Sequence, residues 1–249
     1  MLFRSWQYAD ASNIFINAEQ TFRFVATDEV YSTFNGFNHD LKQQKGVQVE
    51  GGIKHQWSKA QSKATGYWID THDEIFLDPT LGGGFGANSS YDQTIRRGLE
   101  LEQSFDIKGI FQVNALDAWD MGADYTFEDP KFGKGQFKGE RIPLTPQHMF
   151  GVFTDFGFAD HWHWRWDARY VGDRYRLNDE ANALDPLKPY VLVDMRLTYR
   201  YQDLEIFGGI DNLFAQQYYA FGGKGTNSTN RNYYPAPQRS LTVGAKVKF

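Results

Sequence analysis

Apolar and polar residues alternate with a period of two along almost the whole chain. In Arg239–Phe249, Leu241, Val243, Ala245, Val247 and Phe249 share one parity, and Thr242, Gly244, Lys246 and Lys248 share the other. Successive side chains of a strand point to opposite faces, so this segment predicts a strand with one apolar and one polar side. The pattern recurs upstream. Ile14, Ile16, Ala18, Phe22 and Phe24 oppose Asn17, Glu19, Thr21 and Arg23; Val47, Val49, Ile53 and Trp57 oppose Gln48, Glu50, Lys54 and Gln56. Trp162, Trp164, Trp166, Ala168 and Tyr170 oppose His163, Arg165, Asp167 and Arg169, and Val191, Val193, Met195, Leu197 and Tyr199 oppose Asp194, Arg196, Thr198 and Arg200. Helical spacing appears nowhere with comparable strength.

The alternation predicts about ten strands, near 12–25, 44–57, 63–77, 94–107, 110–127, 146–158, 162–175, 189–201, 203–214 and 239–249, with 63–77 the least regular. Most exceed the length usual in globular sheets and match the roughly 9–11 residues that cross a bilayer. Connections alternate as well. Short ones fall at 58–62, 107–110, 159–161 and about 202; long ones fall at 26–43, 78–93, 128–145, 176–188 and 215–238. With Phe249 at the periplasmic end, every long loop lies outside, as in outer-membrane barrels. The fold class predicted is all-β, an antiparallel transmembrane barrel. Arg165, Asp167, Arg169, Asp194 and Arg196 are expected to pair across strands inside a wet lumen, since a mid-depth Arg or Lys facing lipid costs about 2–4 kcal/mol.

Composition agrees. Aromatic residues make up 17% of 249, enough for interfacial girdles. Mean hydropathy is −0.58, as expected when only alternate residues meet lipid. The net charge of −5 argues against a nucleic-acid partner, and the lack of cysteine excludes disulfides and thiolate metal sites. No apolar run is long enough for a transmembrane helix. MLFRSWQYAD does not read as a signal peptide, so the chain is expected to begin partway through a longer product.

Several motifs narrow the class. IDNLFAQQYY (Ile210–Tyr219), YYPAPQR (Tyr233–Arg239) and the terminal strand resemble the C-terminal pattern of TonB-dependent outer-membrane receptors. RIPLTPQH (Arg141–His148) resembles the family's R-x-P-x-T-P strand entry, RRGLELEQ (Arg96–Gln103) its R-x-G-x-E-x-E strand, and RYVGDRY (Arg169–Tyr175) its A-R-Y-V-G strand. NAEQTFRFVATDEVY (Asn17–Tyr31) resembles the F-R-A-P-T strand, with Val25 and Ala26 in place of Ala and Pro. The resemblance implies the C-terminal portion of a barrel of about 22 strands, spanning 1–249, with the plug domain and about twelve strands not represented. It further implies a Gram-negative outer-membrane location and TonB-coupled uptake of a scarce nutrient, most often a ferric siderophore or other metal chelate. Outer-membrane lipid is an implied partner, and so is the barrel-assembly machinery, through Leu241, Val243, Val247 and Phe249. TonB would act only through the missing plug. No cofactor, resident metal or catalytic residue is implied. About ten strands alone leave two edges that cannot face lipid unpaired.

Candidate residues follow from the loops. Tyr218, Tyr219, Lys224, Arg231, Tyr233 and Tyr234 combine aromatic and basic groups suited to an anionic or aromatic chelate; the alternative is interfacial anchoring. His161 and His163, two apart, would share the inward side, as a metal pair or as ordinary lumen histidines. His72, with Asp70, Asp73 and Glu74, is a solvated rim cluster or the base of a rim hydrolase. The Gly82–Asp92 stretch precedes a strand and reads as a flexible loop, since a phosphate cradle needs a helix behind it. Asp211 and Asn212 are expected to fix a corner. The alternative function is a self-contained ten-stranded barrel serving as a passive pore or rim hydrolase.

Overall fold

A computed structural model describes residues 1–32, 36–78, 81, 86–225 and 231–248. Eleven antiparallel strands form one sheet: β1 (Leu2–Ala9), β2 (Ser12–Arg23), β5 (Gln44–Gln56), β6 (Ala60–Asp78), β7 (Ala87–Asp106), β8 (Ala118–Phe132), β9 (His148–Phe158), β10 (Trp162–Val171), β11 (Tyr190–Tyr201), β12 (Leu204–Asp211) and β15 (Ser240–Val247). Each pairs with the next in that order, so β1 and β15 are the edges of the described sheet. Two short hairpins, β3–β4 (Tyr31–Ser32, Gly36–Phe37) and β13–β14 (Tyr219–Lys224, Arg231–Pro235), lie within the 24–43 and 212–239 connections. Two helical turns complete the fold, α1 (Thr27–Val30) and α2 (Ile107–Phe111).

Three expectations are corrected. There are eleven strands in the sheet, not ten: β1 was hidden because Arg4 interrupts its outward row of Leu2, Trp6 and Tyr8. The strand expected at 110–127 starts at Ala118, because Asp106 caps α2 by accepting from Gly109 N at 2.7 Å. That makes the connection 107–117 a helical turn, longer than the other periplasmic turns. Strands β6 and β7 also run further out than expected and shorten the 78–93 loop to 79–86. Of the Gly82–Asp92 stretch, Ala87–Asp92 is strand, and Gly82–Phe85 lie outside the described residues.

Register places the alternation as expected. One continuous row runs Ile14, Ile53, Ala64, Leu101, Tyr125, Phe150, Tyr170 and Val191 across eight strands. This apolar face is uncovered by protein: Leu241 is 74% and Val243 83% exposed. It is the lipid-facing side, and the opposite, polar side faces the lumen.

The polar side is organised by glycines. A Cβ on Gly98 would stand 2.3 Å from the Tyr67 ring, on Gly122 2.3 Å from Phe153, and on Gly244 2.5 Å from Phe207. Each glycine is the direct cross-strand partner of the ring that lies over it. Such rings cover backbone that glycine leaves bare. Two of them also carry guanidinium groups, Arg165 at 4.3 Å from Phe153 and Arg196 at 3.8 Å from Phe207.

Those contacts replace the cross-strand ion pairs expected of Arg165, Asp167, Asp194 and Arg196. Register sets Arg165 opposite Arg196 and Asp167 opposite Asp194, so like faces like between β10 and β11. Arg165 instead pairs along its own strand with Asp167 at 2.7 Å. Further out, Arg96 holds Glu74 through two bonds of 2.8 and 3.0 Å, and Tyr67 donates to Glu128 at 3.0 Å. Glu74 reaches this face because Asp73 has φ 54°, which breaks the alternation and explains the irregularity of β6. The left-handed region is open to Asp more readily than to most residues.

Candidate extracellular binding site

The candidate site is built where the β13–β14 hairpin packs on the 172–189 connection. Leu177 N donates to Gly222 O at 3.0 Å, and Lys224 N to Leu177 O at 2.8 Å. Leu187, 1% exposed, fills the space beneath. A Cβ on Gly222 would lie 2.8 Å from Leu187 Cδ2, so only glycine lets the hairpin seat this closely.

Two buried arginines clamp the hairpin. Arg174 donates to the carbonyls of Tyr219 and Ala220, and burial lowers its guanidinium below the ordinary value. Arg176 donates from Nε to Asp185 O at 3.1 Å and from Nη2 to Tyr233 Oη at 2.9 Å. Its Nη1 is buried without a hydrogen-bond partner. Neither arginine was marked as a site residue by sequence reasoning; the available signal was the pair Arg174 and Arg176 just beyond the end of β10.

The hairpin divides the six residues singled out from the sequence. Tyr218, Tyr219, Arg231 and Tyr233 line a cavity of about 420 Å³ together with Arg176, Lys188 and Tyr190. Tyr219 packs on Tyr233 with centroids 4.7 Å apart, and Tyr218 on Tyr190 at 4.5 Å. Burial raises the Tyr218 hydroxyl above its ordinary value, with Tyr190 and Asp194 adding to the effect. Lys224 lines a different cavity of about 610 Å³, beside Tyr91, Phe132 and Glu180. Tyr234 packs on Phe221 at 5.0 Å and stands 57% exposed, away from both. Strand alternation sets Tyr234 on the side opposite Tyr233, whereas Lys224, the direct register partner of Arg231, is drawn from it by Asp179.

The cations are held in place. Lys224 Nζ lies 3.6 Å from Asp179, which is wholly buried and accepts from Ala183 N and Leu184 N at 3.1 and 3.0 Å. Arg231 lies 3.4 Å from Asp185, whose side chain is 83% exposed. An exposed pair of this kind is weak and readily exchanged for another anion.

The remaining candidates separate. His163 lies 3.5 Å from Asp155 on the polar face, whereas His161 packs edge-on against Tyr199 and Tyr201. They do not share a side, because His161 belongs to the turn after Ala159 and Asp160, both at positive φ. His72 Nε2 lies 3.4 Å from Asp70, but Glu74 is turned to the other face by Asp73. Asn212 does fix a corner: its Oδ1 accepts from Gln216 N at 2.8 Å, and its own N donates to Asp194 at 2.7 Å. Leu241, Val243 and Val247 face outward on β15; Phe249 lies outside the described residues.

An outward apolar belt, a polar inner wall and aromatic–basic outer loops define part of the wall of an outer-membrane β-barrel. The family pattern "TonB dependent receptor-like, beta-barrel" matches residues 5–213, and the chain belongs to this family of Gram-negative outer-membrane receptors. Among curated relatives it is similar to "Catecholate siderophore receptor Fiu" of Escherichia coli strain UTI89, 26% identical over 216 residues. That match covers 84% of this chain, which spans only 26% of the relative's length. Among solved structures it superposes on the ferric-catecholate import receptor Fiu of E. coli K12 with a TM-score of 0.71 at 21% identity, covering 99% of this chain and 34% of that one. The ferric yersiniabactin uptake receptor FyuA of Yersinia pestis gives a TM-score of 0.73 at 16% identity, with 99% and 36% covered.

Proposed function

We propose that residues 1–249 form the C-terminal part of the barrel of a receptor that takes up an anionic metal chelate, such as a ferric siderophore, across the outer membrane. The reading is supported by the names of the curated relatives and, from this chain's own residues, by the loop cavity. The carrying observation is Arg176: buried, with an unpartnered Nη1, beside a cavity walled by four tyrosines and Arg231. Charge-assisted hydrogen bonds are roughly twice as strong as neutral ones, and tyrosine faces suit planar chelating rings. A chelate oxyanion would displace Asp185 from Arg231, a small loss since that carboxylate is already in water. Transport energy would arrive from TonB through a plug domain outside these residues. The work is binding and passage, with no covalent step. Leu241, Val243, Val247 and Phe249 would present the last strand to the barrel-assembly machinery.

The test is uptake and equilibrium binding of a ferric catecholate by the complete receptor under iron limitation. Arg231→Ala and Arg176→Lys are each expected to weaken binding about tenfold, the effect of losing one charged hydrogen bond of about 1.5 kcal/mol. Arg231→Ala removes only an exposed pair, so its fold stays intact. Wild-type affinity in both variants refutes the site.

A further inference from the structure

The lipid-facing side changes character toward its extracellular end. Moving outward, the apolar row of Ile53 and Leu101 gives way to rows holding Arg97 and Asp129, then Asp70 and Lys131, and outermost Lys45, His72 and Gln93. Register sets all of these on the outward parity, with Val47, Trp68 and Phe22. They point away from the lumen, so ligand captured from above does not meet them.

Their charged ends are sorted by depth. Asp129 is held by Arg97 at 2.9 Å and Lys131 at 3.0 Å, yet its side chain is only 17% exposed against 59% and 41% for the two cations. Asp70 accepts twice from Gln93 Nε2 at 2.8 Å and is 18% exposed, whereas its neighbour His72 is 45% exposed. Lys45 has no ion pair among the described residues. The carboxylates thus recede against the sheet, and what reaches outward is cationic. Beside Lys45 and His72 lies a cleft of about 460 Å³ whose walls include Phe22, Val47 and Trp68. Cations on the lipid face cost little near the headgroups and far more at the midplane, which places this patch at headgroup level.

We infer that this patch is a binding site for a phosphate-bearing lipid of the outer leaflet. Lys45, Arg97 and Lys131 engage the headgroup phosphate, and an acyl chain lies in the cleft against Phe22, Val47 and Trp68. Charge complementarity selects the headgroup, and the apolar cleft selects a lipid over a soluble anion.

Native mass spectrometry of the purified protein in detergent, titrated with bisphosphorylated lipid A, tests the assignment. One lipid is expected to remain bound. Lys45→Glu, at a residue without an ion pair, and the triple variant Lys45→Ala/Arg97→Ala/Lys131→Ala should each weaken retention at least tenfold. Dephosphorylated lipid A should not be retained. Heat-modifiable migration on gels verifies that each variant is folded, and Lys45→Glu serves if the triple variant is not. Equal retention of the two lipids, or undiminished binding by folded variants, overturns the proposal. So does displacement of the lipid by inorganic phosphate alone at millimolar concentration, which would make this a soluble-anion site.

Discussion

Replacing Gly98 with alanine probes the packing of the inner wall directly. The new Cβ would stand 2.3 Å from Tyr67 Cζ and Oη and 2.6 Å from the Phe127 carbonyl. The carbonyl belongs to the β7–β8 ladder and cannot retreat, so the tyrosine ring must. Moving it breaks the 3.0 Å bond to Glu128, a charged hydrogen bond of about 1.5–3 kcal/mol. Overpacking adds about 1–3 kcal/mol, giving roughly 2.5–6 kcal/mol in total, a large part of the stability of an ordinary domain. Gly66 is the matched control: it faces lipid, and the nearest atom to a Cβ there is 4.0 Å away. Gly66→Ala should change stability by no more than about 0.5 kcal/mol. Denaturant unfolding of the protein in detergent micelles, followed by tryptophan fluorescence, reads both. In Gly98→Ala/Tyr67→Ala the ring clash is removed and only the 2.6 Å approach to the Phe127 carbonyl remains, so the pair should be less destabilised than the sum of its singles. Equal stability of Gly98→Ala and Gly66→Ala would refute the argument that the ring on the glycine is a close-packed unit.

Val243→Arg on the lipid side of β15 should cost about 2–4 kcal/mol and reduce the assembled protein in outer membranes, whereas Thr242→Arg on the lumen side should assemble normally; heat-modifiable migration of membrane fractions compares them. Asp73→Gly should be neutral at φ 54°, and Asp73→Val should lose about 1–2 kcal/mol in the same unfolding assay. Glu29 is held below its ordinary value of 4.5, first by the Ala26 backbone N–H at 2.9 Å and then by Arg23. Its contribution is therefore complete above pH 4.5 and lost as pH falls through the lowered value. Protease cleavage in the 24–43 connection should accelerate below pH 4.5 in the wild type, and Glu29→Gln should be cleaved at the fast rate throughout.

The two sides of the wall differ in what they do. Outward, the sheet is a mostly apolar band, broken by Arg4 on the β1 edge and, at its outer end, by Lys45, Arg97 and Lys131. Inward, polar groups are tied into local units such as Arg96–Glu74 and Arg165–Asp167, and rings on glycine carry the charges that face like charges. The loops concentrate buried arginine. Arg174 and Arg176, two apart in one connection, fix the hairpin that presents the tyrosines.

Period-two alternation determined the strand class, the face each residue takes and the barrel architecture, because the pleat converts sequence parity into side without any help from distant contacts. Loop lengths determined which end is outside. Tertiary structure decided whatever depended on register or a single backbone turn. Like-charged residues meet across β10 and β11 because of a register no local pattern encodes. Asp73 sends Glu74 to the lumen because one positive φ exchanges the faces, and His161 leaves the side of His163 for the same reason. The hairpin that separates Tyr233 from Tyr234, and brings Arg176 to the former, rests on Gly222 meeting Leu187 from a connection more than thirty residues earlier. Such contacts are set by packing between distant segments, which parity along one strand does not record.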